Sequence, residues 1–289
     1  MKPAQFEYLA PATAEEAVQL LGDHVDDDAK LLAGGQSLVP LMNFRLARPK
    51  FLIDLNGIRS LSYIRDEGEY LAVGGLTRQR SIERSAAVAQ CLPLLAEATR
   101  WIGHVAIRNR GTVGGSMAHN DPAAEYPLAA ILLDAELVAL GPSGQRTIPA
   151  GDFFITYLTT ALQPDELLSE VRLPKLPAST AWSFQEFARR HGDFAIAAVG
   201  ALLTLDGATI KEARIAVGGA APVAFRAAEA EDMLKGETIA DAPIEAAAEK
   251  AAAAAEPESD VHASAEYRAH LVKVLTRKAL QEARTRATG

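Results

Sequence analysis

Hydrophobic and polar positions along the chain change period several times, and each change marks an element. Thr13-Ala14-Glu15-Glu16 has the form of a capping box, in which the Thr hydroxyl and a Glu carboxylate satisfy exposed N–H groups at a helix start. Val18 and Leu21 then supply a buried helix face, with Gly22 as the expected stop. Residues 30–33, 51–55 and 70–73 are short apolar runs that predict buried strands; the first enters Gly34-Gly35 and the third is broken by Gly74-Gly75. Between residues 77 and 103 apolar positions recur at helical spacing, among them Leu94, Leu95, Ala98 and Ile102. From 104 to 127 the periodicity lapses in a run rich in Gly, Asn, Asp and Arg, which predicts a long functional loop. Strand character resumes over 135–140.

Pro174-Lys175-Leu176-Pro177 suits an extended linker and marks a domain boundary. Beyond it, residues 182–190, 195–205 and 210–217 predict three strands, the last two joined by an Asp206-Gly207 hairpin. From Arg226 the chain turns helical and alanine-rich. An acidic stretch, 229–260, precedes a basic one, 262–289, so two solvated helices of opposite charge are expected to pack together. On the last helix Tyr267, Leu271, Val274 and Leu275 are the expected core stripe.

Charge and cysteine content narrow the function. With 29 Lys+Arg against 37 Asp+Glu the net charge is −8, so no basic footprint points to nucleic acid or an anionic membrane. The single cysteine, Cys91, cannot form an intrachain disulfide, a four-thiolate zinc site or an iron–sulfur cluster; any such centre must sit on another chain. The best apolar run, 194–205, has about 12 residues where a bilayer span needs roughly 20, and the start lacks the apolar stretch of a secretory signal. A soluble, cytoplasmic chain is expected. Rossmann, P-loop, H-E-x-x-H and G-x-S-x-G motifs do not occur. His119-Asn120-Asp121 is the one local cluster of ligating types, and no metal site is expected.

Two glycine-rich segments remain. Ala33-Gly34-Gly35-Gln36-Ser37-Leu38 follows a strand, and Gly111-Thr112-Val113-Gly114-Gly115-Ser116 leads to Glu125. Glycines there let the backbone approach a ligand and leave successive N–H groups free to face an anion. Gln36, Ser37 and Ser116 add side-chain donors, and Glu125 offers a carboxylate to ribityl or ribose hydroxyls. Either loop taken singly is equally a tight strand-to-helix turn. Together they imply a ligand with two phosphates, a dinucleotide held without a Rossmann fold.

These residues resemble the FAD-binding medium subunit, or domain, of the molybdenum hydroxylase family, whose members include xanthine dehydrogenase and aerobic carbon monoxide dehydrogenases. The resemblance runs over nearly the whole chain and rests on four motifs in order. They are Lys30-Leu31-Leu32-Ala33-Gly34-Gly35-Gln36-Ser37-Leu38-Val39-Pro40-Leu41-Met42, Arg108-Asn109-Arg110-Gly111-Thr112-Val113-Gly114-Gly115-Ser116, Ala188-Arg189-Arg190-His191-Gly192-Asp193-Phe194-Ala195 and Tyr267-Arg268-Ala269-His270-Leu271.

The resemblance implies an α+β fold. Residues 1–176 would be an FAD-binding domain of the PCMH, vanillyl-alcohol-oxidase-like type, with subdomains of about 1–57 and 58–176. Residues 177–289 would be an antiparallel sheet with helices, of the carbon monoxide dehydrogenase flavoprotein type. It also implies that Leu31, Leu32, Ala33, Gly34, Gly35, Gln36, Ser37 and Leu38 wrap the FAD pyrophosphate, with Thr112, Gly114, Gly115 and Ser116 on its other side. Ile102 and Gly103 would touch the cofactor, Glu125 the ribityl chain, Leu168 the adenine, and Asp193 and Phe194 the flavin ring.

No side chain is implied as acid, base or nucleophile. Molybdopterin would sit on a large partner subunit and the [2Fe–2S] clusters on a small one, in a heterotrimer doubled to a hexamer. The flavin would relay electrons from the clusters to an outside acceptor. Three other functions are set against it: a free-standing flavin oxidase with His119 or Tyr126 as base, a nucleotide-binding module without redox work, and a scaffold subunit that has lost FAD, against which the intact Gly34, Gly35, Gly114 and Gly115 argue.

Overall fold

The computed structural model describes residues 1–288, which form three main sheets and a two-stranded ribbon. The first unit contains β1 (Glu7–Leu9), α1 (Ala14–Asp23), β2 (Lys30–Leu32), α2 (Leu38–Asn43) and β3 (Phe51–Asp54). Its sheet is parallel, in the order β1-β3-β2, with Leu31 in register with Ile53. Ala17, Val18 and Leu21 of α1 share a core with Ile53 and Leu55. The capping box forms with its return bond displaced by one residue. Thr13 Oγ1 accepts from the Glu16 amide at 3.1 Å, and the Glu16 carboxylate accepts from the Ala12 amide at 2.7 Å. The helix passes Gly22 and ends at Asp23.

The second unit is built on an antiparallel sheet of five strands. In chain order it holds β4 (Ile64–Asp66), β5 (Tyr70–Gly74), α3 (Gln79–Arg84), α4 (Ala86–Cys91), α5 (Pro93–Trp101), α6 (Val105–Arg108), α7 (Val113–His119) and α8 (Glu125–Leu132). It continues with β6 (Glu136–Gly141), β7 (Gly144–Pro149), α9 (Ala150–Phe153), β8 (Phe154–Thr156), β9 (Thr159–Thr160) and β10 (Leu167–Pro174). Strand order is β4-β5-β10-β6-β7, and β8 pairs with β9 as the ribbon. The expected long loop at 104–127 is a correction: it folds as α6, α7 and the start of α8. Helices of 4 and 7 residues are too short for periodicity to show in sequence.

The third unit holds β11 (Thr180–Phe187), β12 (Ala197–Asp206), β13 (Thr209–Gly218), β14 (Phe225–Arg226), α10 (Ala228–Leu234), α11 (Asp241–Ala253) and α12 (Ala265–Thr288). Its four strands are antiparallel in sequence order, and Gly207 turns the β12–β13 hairpin at φ +57°. The acidic and basic helices pack as expected: Lys273 Nζ lies 2.9 Å from both Glu245 and Glu249, and Arg284 2.8 Å from Asp241. Such exposed pairs contribute at most about 1 kcal/mol each, so the shared apolar core of Ile244, Ala247, Ala251, Leu271 and Leu275 does most of the joining.

The core stripe of α12 differs from the expected one. Val272, Ala279 and Leu280 are buried with Leu271 and Leu275, Val274 is half-buried, and Tyr267 stands outside with its ring edge-on to Phe187. The other face of the sheet packs on the second unit, where Phe184, Ala198, Leu202 and Ala216 share a core with α5 and α8. Gly200 is required there, because a side chain on it would lie 2.6 Å from a Leu132 methyl.

Candidate functional site

β2 delivers the chain to Ala33, and a turn over 34–37 leads into α2. Gly35 has φ +73°, a conformation that L side chains adopt at a steric penalty. Among the described residues, the amides of Gly35, Gln36, Ser37 and Leu38 donate to no acceptor within the chain. Four successive free amides around a left-handed glycine make an anion-binding nest. The Gln36 side chain is not part of the donor set, because its Nε2 turns back to the Gly34 carbonyl at 3.2 Å.

The second glycine loop differs from the expectation of free amides. Val113 N donates to Thr77 O at 3.0 Å and Gly114 N to Gly75 O at 2.9 Å. Gly115 N donates to Thr112 Oγ1 at 3.1 Å and Ser116 N to Thr112 O at 3.2 Å. Thr112 caps α7 and so occupies the donors of its first turn. The glycines serve close packing instead: a side chain on Gly114 would lie 2.7 Å from the Gly75 carbonyl oxygen. Gly75 in turn lies against the backbone of Leu168, a buried residue beside a bulge in β10.

The two loops are in contact. A side chain on Gly34 would begin 2.6 Å from the Arg110 carbonyl oxygen and 2.8 Å from Gly111 Cα; one on Gly115 would lie 3.5 Å from Ala33 Cβ. Two residues that sequence reasoning missed join them. Arg78 Nη2 donates to Asn56 Oδ1 at 2.6 Å while Nη1 donates to the Arg110 carbonyl, and Asn56 Nδ2 donates to Ala33 O at 2.9 Å. Their sequence separations of 22 and 32 residues leave no local signal.

A second cluster lies at the other end of α6, whose four residues span about 6 Å. Ile102 is buried and Gly103 takes φ +47°. Arg108 holds this turn, its Nη1 donating to the carbonyls of Ile102 at 2.9 Å and Gly103 at 3.0 Å, its Nε to Glu83 at 2.9 Å. The loop before β12 rests on the same turn. A side chain on Gly192 would lie 2.6 Å from His104 Cε1, and the rings of Trp101 and His191 are 5.7 Å apart. Asp193 follows the Gly192 that lies against Gly103 and His104, and Phe194 is 70% exposed, outside any core.

Glu125 departs from the open carboxylate that was expected. It opens α8 but is buried, and burial with the charge of Asp121 pushes its carboxyl up to about 7. The two candidate bases of the oxidase alternative differ. Tyr126 is fully buried with its hydroxyl 3.1 Å from Thr99 Oγ1, and burial pushes its phenol up. His119 is held below its ordinary value by burial. The neighbouring Asn120 Nδ2 ties the ribbon to α7 through the carbonyls of Thr156 and Thr159, at 2.8 and 2.7 Å.

Comparison with known proteins decides what this arrangement belongs to. Residues 4–176 match the family described as FAD binding domain in molybdopterin dehydrogenase, and residues 182–283 the CO dehydrogenase flavoprotein C-terminal domain. The chain belongs to the FAD-binding medium subunits of the molybdenum hydroxylases.

It is 43% identical to the 6-hydroxypseudooxynicotine dehydrogenase complex subunit alpha of Paenarthrobacter nicotinovorans, covering 99% of this chain and 97% of that one. It is 39% identical to the carbon monoxide dehydrogenase medium chain of Hydrogenophaga pseudoflava, covering 98% of each. Among solved structures, carbon monoxide dehydrogenase from Hydrogenophaga pseudoflava, in a form lacking the Mo-pyranopterin moiety of its molybdenum cofactor, superposes with a TM-score of 0.97. That match has 40% identity over 99% of both chains. Quinoline 2-oxidoreductase from Pseudomonas putida 86 superposes with a TM-score of 0.95 at 38% identity over the full length of both. This medium subunit is thus an FAD-binding component of a molybdopterin-dependent oxidoreductase, with the α+β architecture of that family. Among the described residues no helix is long and apolar enough to cross a membrane.

Proposed function

We propose that this medium subunit is the electron relay of its complex, taking electrons from [2Fe–2S] clusters on a small partner and passing them to an external acceptor. A large partner would carry molybdopterin and oxidise the substrate. The observation that carries the reading is the row of free amides at Gly35–Leu38 set against the wall of Thr112, Gly114, Gly115 and Ser116. That geometry fits a diphosphate, whose oxygens need donors in series and room for close backbone approach. Bound there, FAD supplies the electron exchange that no side chain of this chain provides.

The chain's own contribution is to bind and orient. Residues 31–38 cradle the diphosphate and Ser116 adds a hydroxyl from the facing wall. Leu168 gives an apolar contact for the adenine, and Ile102 and Gly103 border the flavin with Asp193 and Phe194. Glu125 lies near the ribityl chain. The functional units run over 1–176, itself in parts of about 1–57 and 58–176, and 177–289. With Cys91 alone in this chain, the clusters fall to a sister chain in this reading, in a heterotrimer doubled to a hexamer in the cytoplasm.

The test is direct. Purified protein is expected to be yellow, to bleach with dithionite, and to recover its colour when an electron acceptor is added. Colourless protein that stays colourless after soaking with FAD would overturn the proposal.

A further inference from the structure

Glu186, near the end of β11, lies on the same face of the third sheet as Phe184, the face that packs on the helices of the second unit, and Glu125 is buried at the start of α8. Glu186 stands in register with Ala198 of β12 and is 9% exposed. Both of its carboxylate oxygens are shut off from solvent and have no hydrogen-bond partner. The charge facing it is that of Glu125.

Around Glu125 stand Asp121 from the preceding turn, Tyr126 of the same helix and Arg108 of α6, with Glu83 of α3 facing Tyr126 and Arg108. Among these groups the one cation is Arg108. It is already held by Glu83 and by the carbonyls of Ile102 and Gly103. No counter-charge remains for a second carboxylate.

We propose that Glu186 is protonated at neutral pH beside the buried Glu125, and that loss of its proton weakens the packing of the third sheet on the helices of the second unit. An ionised carboxylate shut away from water without a donor is strongly disfavoured, and a like charge beside it adds to the penalty. Burial and the Glu125 charge accordingly push Glu186 up to about 9, and the two groups titrate as a pair. Glu186 is a positioning residue. Kept neutral, it lets β11 lie against α5 and so holds the following loop, with Gly192, down on Gly103 and His104.

The experiment is denaturant unfolding of the full chain across a pH series, followed by the emission of Trp101 and Trp182. It does not depend on flavin, so its failure is separate from failure of the electron-relay proposal. A carboxyl raised in the folded state releases its proton on unfolding. Stability is therefore full below its ordinary value near 4.5, falls as pH rises toward about 9, and levels off above that.

In Glu186→Gln the slope of the logarithm of the unfolding constant against pH is expected to be shallower by about one unit across that window. The variant should also be more stable than wild type at the alkaline end. Glu186→Ala removes the same carboxyl, is expected to flatten the slope equally, and serves alone if Glu186→Gln does not fold. A wild-type slope in Glu186→Gln, or in Glu186→Ala where it alone folds, overturns the proposal.

Discussion

Arg78 and Asn56 are joined by a 2.6 Å hydrogen bond, and through it the two glycine loops become one structure. Asn56 holds the carbonyl of Ala33 on one side, and Arg78 holds that of Arg110 on the other. The first loop follows a strand of the first sheet and the second joins α6 to α7, so besides this pair the contacts of Gly34 with Gly111 and of Gly115 with Ala33 fix their spacing.

Arg78→Ala and Asn56→Ala are each expected to weaken FAD binding by about ten- to a hundredfold, since a hydrogen bond to a charged group contributes about 1.5–3 kcal/mol. Quenching of FAD fluorescence on titration measures it. The double variant should lose little more than either single one, because the two side chains act as a unit. Fully additive losses would show that they do not.

The glycines are expected to separate into two kinds. Gly34→Ala sets a methyl group 2.6 Å from a backbone oxygen that the Arg78 bond holds in place, so melting temperature should fall even without cofactor, by an overpacking penalty of about 1–3 kcal/mol. Gly35→Ala meets only methyl groups of Leu32 and Val39 at 3.2 Å, but must hold φ at +73°, a strain of about 1–2 kcal/mol that disturbs the free amides directly. Its effect on flavin content should exceed its effect on melting. If Gly35→Ala retains a full complement of flavin, the nest is misplaced.

Legibility from sequence followed the range of the interaction. Thr13 and Glu16 form a cap within one turn and Asp206-Gly207 a hairpin within two residues, so both were plain from local pattern. The first glycine loop was legible as a loop because backbone freedom is written in residue type, whereas Gly114 and Gly115 of the second fall inside α7. Which of the two segments keeps free donors was not legible, since Gly114 is occupied by the distant Gly75 carbonyl. Arg78, Asn56 and Arg108 look like ordinary polar residues, and only the folded chain brings carbonyls to them. Burial of Glu125 was hidden for the same reason: the strands that pack on its helix, β12 and β13, come far later in the chain.

Glu83 and Arg108 offer a pH test of how the Ile102–Gly103 turn is held. Burial raises the Glu83 carboxyl, but hydrogen bonds from Arg80 and Arg108 outweigh it and hold the group below its ordinary value. A carboxyl depressed in the folded state adds stability above its unfolded value and loses it as pH falls through the folded one. Glu83→Gln is therefore expected to be less stable than wild type at neutral pH by about 1.5–3 kcal/mol, the scale of a charged hydrogen bond. The difference should shrink below about pH 4. Denaturant melts at neutral and acid pH check it, and a gap that stays constant with pH would remove the ion pair from the account.

Phe194 is 70% exposed, so its ring adds little to the core. Gly192, two residues earlier, is pressed onto His104 and Gly103, which anchors the loop that carries the ring. Phe194→Ala is expected to change stability by no more than about 0.5 kcal/mol, as for other exposed positions. Flavin affinity should fall about two- to tenfold, the value of an aromatic contact worth about 0.5–1.5 kcal/mol, and fluorescence of the flavin that remains should rise. Phe194→Trp should restore both. Unchanged flavin content and emission in Phe194→Ala would mean that the ring serves another surface, and a large fall in melting temperature would mean that it belongs to the fold after all.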